Sequence, residues 1–115
     1  MASGIAKAMG GKAELDVING YPFLHNNEVL TQRIFKASQA YLGAENVVEL
    51  PIRMSSEDFA YYSHEIPACF YRLGTGNVAK GITSPVHTNT FDIDESCLSL
   101  STGLMAWLAL EELRV

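Results

Sequence analysis

The sequence has three histidines, and His87 has the surroundings best suited to chemistry. An imidazole binds divalent metals and exchanges a proton near neutral pH. The carboxylates of Asp92, Asp94 and Glu95 follow His87 within eight positions, and such groups orient a ring nitrogen or tune a metal site. A structural zinc site needs about four ligands, however, and the sequence has no HxxxH, HxH or CxxC spacing. Residue types alone therefore leave a solvated loop histidine as the simpler interpretation.

Glu57 and Asp58 form a pair of acids at the start of a predicted short helix. Paired carboxylates can serve a catalytic site, but acids in the first turn of a helix also simply complement its dipole. His25 in a turn and His64 at a helix end have equally ordinary explanations. None of these four residues indicates a site by itself.

The glycine-rich stretch of Gly74, Thr75 and Gly76 resembles a fragment of a phosphate-binding loop. A GxG pattern alone is weak, and it continues into Asn77 and a loop rather than into a helix, which argues against a nucleotide fold. Glycines do let a backbone approach a ligand closely, and exposed N–H groups can hold a carboxylate. A carboxylate-binding loop therefore remains open.

These residues must be positioned by an alternating series of helices and strands. We predict helices over 2–10, from Asn26 or Asn27 to Gly43, from Ser55 to His64, and from the Asp92-x-x-Glu95 box onward. We predict strands over 13–18, 46–52 and 68–73. The order indicates an α/β fold. The strand over 13–18 has no partner nearby in sequence, so residues 1–20 look like the tail of a larger unit.

Composition limits the class of protein. Lys and Arg total 8 and Asp and Glu total 13, which gives a net charge of −5 and opposes binding to nucleic acid or to an anionic membrane. The apolar stretch from Gly103 to Leu110 is far shorter than the ~20 residues of a membrane span, and no signal peptide follows Met1. Cys69 and Cys97 lie in apolar settings without a basic neighbour, so we expect reduced core thiols in a cytoplasmic protein.

Three longer stretches resemble one enzyme family. Met54–Tyr62 (MSSEDFAYY), Phe70–Asn77 (FYRLGTGN) and His87–Glu95 (HTNTFDIDE) are similar in order and spacing to metal-dependent amidohydrolases and metallopeptidases. This family includes aminoacylase, hippurate hydrolase, N-acyl-amino-acid amidohydrolases and plant auxin-conjugate hydrolases. The similarity lies in the C-terminal third of such enzymes. It implies that residues 1–20 end an inserted lid or dimerisation domain and that residues 21–115 belong to the catalytic domain.

The resemblance implies a zinc-peptidase-like catalytic domain with a mixed sheet and flanking helices. It implies hydrolysis of the amide bond of N-acyl amino acids at a site with two divalent ions, zinc or manganese. By position, His87 matches a metal ligand, and Glu57 and Asp58 match residues that support the site. Gly74, Thr75 and Gly76 match a loop that faces the substrate carboxylate.

The family's other metal ligands and its general-base glutamate have no counterpart in the sequence. We therefore expect a fragment that is inactive alone, that is completed by the remainder of the parent polypeptide, and that forms a homo-oligomer through exposed apolar surface. Two alternatives remain. One is a free-standing α/β binding or dimerisation module without chemistry, and the other is a subunit that completes its site by association with another chain.

Overall fold

The computed structural model describes residues 1–114. Over this range the regular elements are four α-helices and two short 3-10 turns, at Ala44–Asn46 and Val78–Lys80. The helices are α1 (Ala2–Ala8), α2 (Glu28–Leu42), α3 (Ala60–Glu65) and α4 (Ser96–Glu112).

The predicted boundaries of α2 are confirmed. The Asn27 side chain accepts a hydrogen bond from the Leu30 N–H at 3.0 Å, which satisfies one of the free amides of the first turn. Gly43 follows the last residue with φ +89°, a conformation that a glycine adopts without a steric penalty.

The core lies between α2 and α4. Leu104 and Leu108, on one face of α4, are only 2% and 4% exposed. The Trp107 indole N–H donates to the Ala37 carbonyl of α2 at 3.0 Å, and Arg33 forms a 2.6 Å ion pair with Glu112. This small interface orients α4, whose N-terminal end follows the His87 loop.

The predicted strands over 13–18, 46–52 and 68–73 are not formed within residues 1–114. The only β-bridge there joins Asn77 to Ile82, so the predicted mixed sheet is absent from this part of the chain. The apolar, β-branched composition of a segment favours extended backbone, but a strand also needs a neighbouring strand to pair with its N–H and C=O groups.

The extended segment after α3 finds side-chain and backbone partners instead of a second strand. The side-chain amide of Asn26 forms two hydrogen bonds with the backbone of Phe70. Nδ2 donates to the Phe70 carbonyl at 3.0 Å, and Oδ1 accepts from the Phe70 N–H at 2.7 Å. The Asn27 N–H donates to the Ala68 carbonyl at 2.8 Å. These bonds fasten the segment that leads to Gly74 onto the start of α2.

The molecule is flat and extended. Its dimensions are 65 × 41 × 19 Å and its radius of gyration is 20.9 Å, whereas a compact domain of this length has about 13 Å. Large apolar side chains such as Ile52 and Met54 are 94% and 99% exposed. None of the helices in residues 1–114 is long and apolar enough to cross a membrane. The division at residue 20 stays a prediction.

Candidate functional site

His87 occupies a strained position in an exposed loop. Its backbone has φ +65°, and no other non-glycine residue of the described chain has a positive φ. An L side chain in this region is disfavoured by its Cβ, and such strain is typical of functional sites. His87 is exposed, and its ring forms no hydrogen bond within residues 1–114.

Hydroxyl groups define the shape of this turn. The Thr88 hydroxyl donates to the Pro85 carbonyl at 2.8 Å, across the two residues at the centre of the turn. The Ser84 and Thr90 hydroxyls lie 2.8 Å apart and tie the two sides of the loop together. His87 thus lies in a turn that side-chain hydroxyl hydrogen bonds stabilise.

Asp94 joins the end of the His87 loop to its beginning. Its side chain is buried, with the whole residue 8% exposed, and Oδ1 accepts from Lys80 Nζ at 2.7 Å. Oδ2 accepts from the Asn77 side-chain amide. The Asp94 N–H donates to the Thr75 carbonyl at 2.8 Å. We call these four residues, Thr75, Asn77, Lys80 and Asp94, the Asp94 clasp.

The clasp holds Asp94 in its charged form. The pKa of the Asp94 carboxyl lies well below its usual range, chiefly because Lys80 donates to it and then because Asn77 and the Ser96 N–H do so. The carboxylate also replaces the predicted capping box. Glu95 makes no side-chain cap to α4, and Asp94 Oδ1 accepts from the Ser96 N–H at 3.2 Å instead.

The depressed pKa predicts acid sensitivity. Because the folded-state pKa is below the unfolded value of about 3.9, the stabilisation from Asp94 is complete above that pH and is lost as the pH falls toward the folded value. We expect the free energy of unfolding of Asp94→Asn to fall less steeply with acidification than that of the wild type. Urea unfolding at a series of pH values from neutral downward measures this. Parallel curves for the two proteins would contradict it.

The glycine stretch runs directly into the clasp. Gly74 and Gly76 are exposed, and the N–H groups of residues 74–76 form no hydrogen bond within residues 1–114. The backbone then closes a tight turn in which Asn77 and Ile82 exchange hydrogen bonds of 2.8 and 2.9 Å. The predicted tight loop over 74–77 is therefore displaced, because residues 74–76 form no turn and the turn lies over 77–82 instead. Carboxylate binding by the free amides of residues 74–76 stays a prediction.

Glu57 and Asp58 lie just before α3 rather than within its first turn. The helix begins at Ala60 with no side-chain cap, so the predicted start at Ser55 is wrong. The Glu57 carboxylate accepts a long 3.4 Å bond from the Phe59 N–H, which holds the chain in a turn ahead of the helix. Asp58 is exposed and makes no side-chain hydrogen bond within residues 1–114. Their supporting role stays a prediction.

His25 and His64 are explained by local contacts. The His25 N–H donates to the Ser63 hydroxyl at 3.1 Å. His64 Nε2 lies 2.7 Å from the Phe23 carbonyl, and its ring packs edge-on against the Phe23 ring. Both residues connect α3 to the segment that precedes α2.

A metal site is not complete within residues 1–114. No group of three or more His, Cys, Asp or Glu side chains there could hold an ion. His87 has the chemistry and exposure of one ligand, but a bound metal needs three or four protein donors or waters. The described residues therefore do not form a metal centre by themselves.

Sequence reasoning missed the clasp. Asp94 was one of three neighbouring acids, and nothing in the linear order distinguished it from Asp92 or Glu95. The available signal was the polar pair of Asn77 and Lys80 beside the glycine stretch, since an amide and an ammonium that flank a tight turn can together neutralise one buried carboxylate.

Comparison with known proteins identifies the family. The model of peptidase family M20/M25/M40 matches residues 2–110, so the chain belongs to this family. The chain is 35% identical over 89 residues to IAA-amino acid hydrolase ILR1-like 6 of Arabidopsis thaliana, a match that covers 77% of this chain and 19% of that protein. It is 30% identical over 112 residues to thermostable carboxypeptidase 2 of Saccharolobus solfataricus, which covers 96% of this chain and 28% of that protein.

A hydrolase of Sinorhizobium fredii, y4tI, is 31% identical over 104 residues, with 90% of this chain and 25% of that protein covered. The chain thus spans 19–28% of the length of these curated relatives. No solved structure matches it. The predicted resemblance to metal-dependent amidohydrolases and metallopeptidases is confirmed at the level of the family.

Proposed function

We propose that this chain forms part of a metal-dependent hydrolase that cleaves the amide bond of N-acyl amino acids. The observation that carries the proposal is the His87 turn, in which an exposed imidazole is held at a strained backbone position. Membership of the M20/M25/M40 family supports hydrolysis, and the relatives include an IAA-amino acid hydrolase and a carboxypeptidase by name.

In this proposal His87 is a metal ligand of the intact site. With the other ligands of the intact enzyme it would hold one of two divalent ions, zinc or manganese, whose Lewis acidity would supply polarisation of the scissile carbonyl and activation of water. The remaining ligands and the general-base glutamate belong to other parts of the enzyme, because no group of three or more His, Cys, Asp or Glu side chains in residues 1–114 could hold an ion. Glu57 and Asp58 support the site from the turn before α3.

The three amides of residues 74–76 bind the carboxylate of the amino acid portion of the substrate. Carboxylate recognition by adjacent backbone N–H groups needs no side-chain cation, and the Asp94 clasp holds these amides at one end of the His87 loop.

The partner of this chain is the remainder of the parent polypeptide. An open groove of about 840 Å³ separates the extended segment 69–73 from α4, and Phe59, Leu73 and Met105 are among its mostly apolar lining. The mostly apolar lining of this groove and the exposed apolar side chains favour a covering element. In its absence the same surfaces favour self-association into an oligomer.

The purified 115-residue chain is therefore expected to hydrolyse nothing by itself. It offers one ligand of a multi-ligand site and no general base, so neither tight metal binding nor turnover follows. The measurement is release of amino acid from N-acetyl and N-benzoyl amino acids with added zinc or manganese, with light scattering on the same sample to record its oligomeric state. Turnover by the separate chain that a chelator abolishes would contradict the proposal.

A further inference from the structure

The loop that carries His87 begins and ends at the Asp94 clasp. Residues 78–93 are bounded by Asn77 on one side and Asp94 on the other, and those two side chains bond directly to each other. The Ser84–Thr90 and Thr88–Pro85 bonds lie inside the loop. They set the shape of the turn but do not fix where the turn sits in the molecule.

Within residues 1–114, the hydrogen bonds of this loop to the rest of the chain all pass through the clasp. Ile82 exchanges backbone bonds with Asn77, and Lys80 Nζ donates to Asp94. Asp94 in turn donates its N–H to the Thr75 carbonyl and accepts from Ser96 at the start of α4. Asp94 thus connects three parts of the chain: its carboxylate bonds to the His87 loop and to the start of α4, and its backbone N–H bonds to the glycine stretch.

We propose that Asp94 is a positioning residue, which fixes the His87 turn relative to the amides of residues 74–76. This inference rests on the proposed function of His87. Asp94 touches neither metal nor substrate, and it acts by determining where His87 and the carboxylate-binding amides lie with respect to each other. Groups that orient a metal-ligating histidine commonly change metal affinity or activity by about 10- to 100-fold when they are lost.

The geometry requires a carboxylate at this position. Oδ1 accepts from Lys80 and from Ser96, and Oδ2 accepts from Asn77, so both oxygens act as acceptors. Asparagine of the same size would put an NH₂ donor against the Asn77 amide or against the Lys80 ammonium. Asp94 itself is buried, which makes an unpaired donor at its position costly.

The experiment compares Asp94→Asn with Glu112→Gln in the metal-loaded full-length enzyme. Both variants remove one carboxylate charge from the α4 region and break one ion pair, with Lys80 or with Arg33. Glu112 lies at the far end of α4, so its variant controls for general loss of stability. Lys80→Arg, which keeps a cation for Asp94, and Lys80→Met, which removes it, test the clasp without altering Asp94 itself.

We expect Asp94→Asn to increase amide hydrogen exchange in residues 78–93 while α2 keeps its protection. The zinc dissociation constant and kcat/KM should each worsen by about 10- to 100-fold. Lys80→Met should show the same changes to a smaller degree, and Lys80→Arg should stay near the wild type. Glu112→Gln should leave exchange in residues 78–93, zinc affinity and kcat/KM unchanged.

Unaltered exchange in residues 78–93 of Asp94→Asn would overturn the inference, as would equal loss of zinc affinity in Glu112→Gln. These results are distinguishable from failure of the proposed function. Hydrogen exchange reports on the loop whatever His87 does, whereas normal zinc content and activity in His87→Ala would remove the function assigned to His87 and leave the loop measurement intact.

Discussion

Replacing His87 with alanine in the full-length enzyme is expected to lower kcat/KM by on the order of 10³-fold or more and to reduce the bound metal. The reason is that the site loses one metal–nitrogen bond. A bound metal stabilises the charge that develops in the transition state by roughly several kcal/mol. Steady-state kinetics and metal analysis of the purified variant measure both effects.

His25→Ala and His64→Ala are the matched controls. Their backbone and ring contacts are to Ser63 and Phe23, so their loss should affect local packing much more than rate. Near-normal activity and metal content in His87→Ala would contradict the assignment of a metal ligand and would leave only the family relationship.

A glycine at the same position separates the ring from the backbone. His87→Gly also lacks the imidazole, but it relieves the positive φ, which costs an L residue about 1–2 kcal/mol. We therefore expect His87→Gly to be as inactive as His87→Ala and to have a free energy of unfolding in urea at least as large as that of His87→Ala. This combination would locate the defect of both variants in the lost ring.

The largest effect on stability is expected for Leu104→Ala. Leu104 is 2% exposed at the interface of α4 with α2, and truncation of a buried leucine removes apolar contacts and leaves a cavity. We expect the free energy of unfolding to fall by about 2–5 kcal/mol. Urea denaturation monitored by the fluorescence of Trp107, which bonds to α2, measures it directly.

Leu110→Ala is the control for that substitution. Leu110 lies on the same helix but is 54% exposed, so its truncation should change the free energy of unfolding by about 0.5 kcal/mol or less. Equal losses for the two variants would mean that the α2–α4 interface does not hold the described fold together.

Helices were predictable from the sequence where their signals are local. The Asn27 cap and Gly43 end of α2 act within one or two turns, and both are confirmed. The short helix α3 was placed too early because Ser55 and Ser56 resemble a cap, whereas Glu57 and Asp58 form a turn ahead of Ala60. Local signals of similar strength compete over such short distances.

Strands were not predictable in the same way. The segments 13–18, 46–52 and 68–73 have suitable apolar and β-branched residues, but pairing depends on a second backbone that composition does not identify. For 68–70 that partner is the Asn26 side chain and the Asn27 N–H, which lie more than 40 positions away in sequence.

The sequence by itself determined the family and the identity of the residues that could do chemistry. The motifs around Asp58, Gly74 and His87 are recognisable in linear order, because a family motif preserves residue types and spacing. It also determined which residue could provide an imidazole from a polar loop.

Only the tertiary structure decided how His87 is held. Two features depend on the loop folding back so that its two ends meet. One is the positive φ at His87, and the other is the set of hydrogen bonds that Asp94 makes with Thr75, Asn77 and Lys80. Spacing along the chain does not reveal that closure, because three similar acids follow His87. Of the three, only Asp94 is buried. A buried carboxylate needs hydrogen-bond donors, and the tertiary structure decides which residues lie close enough to provide them.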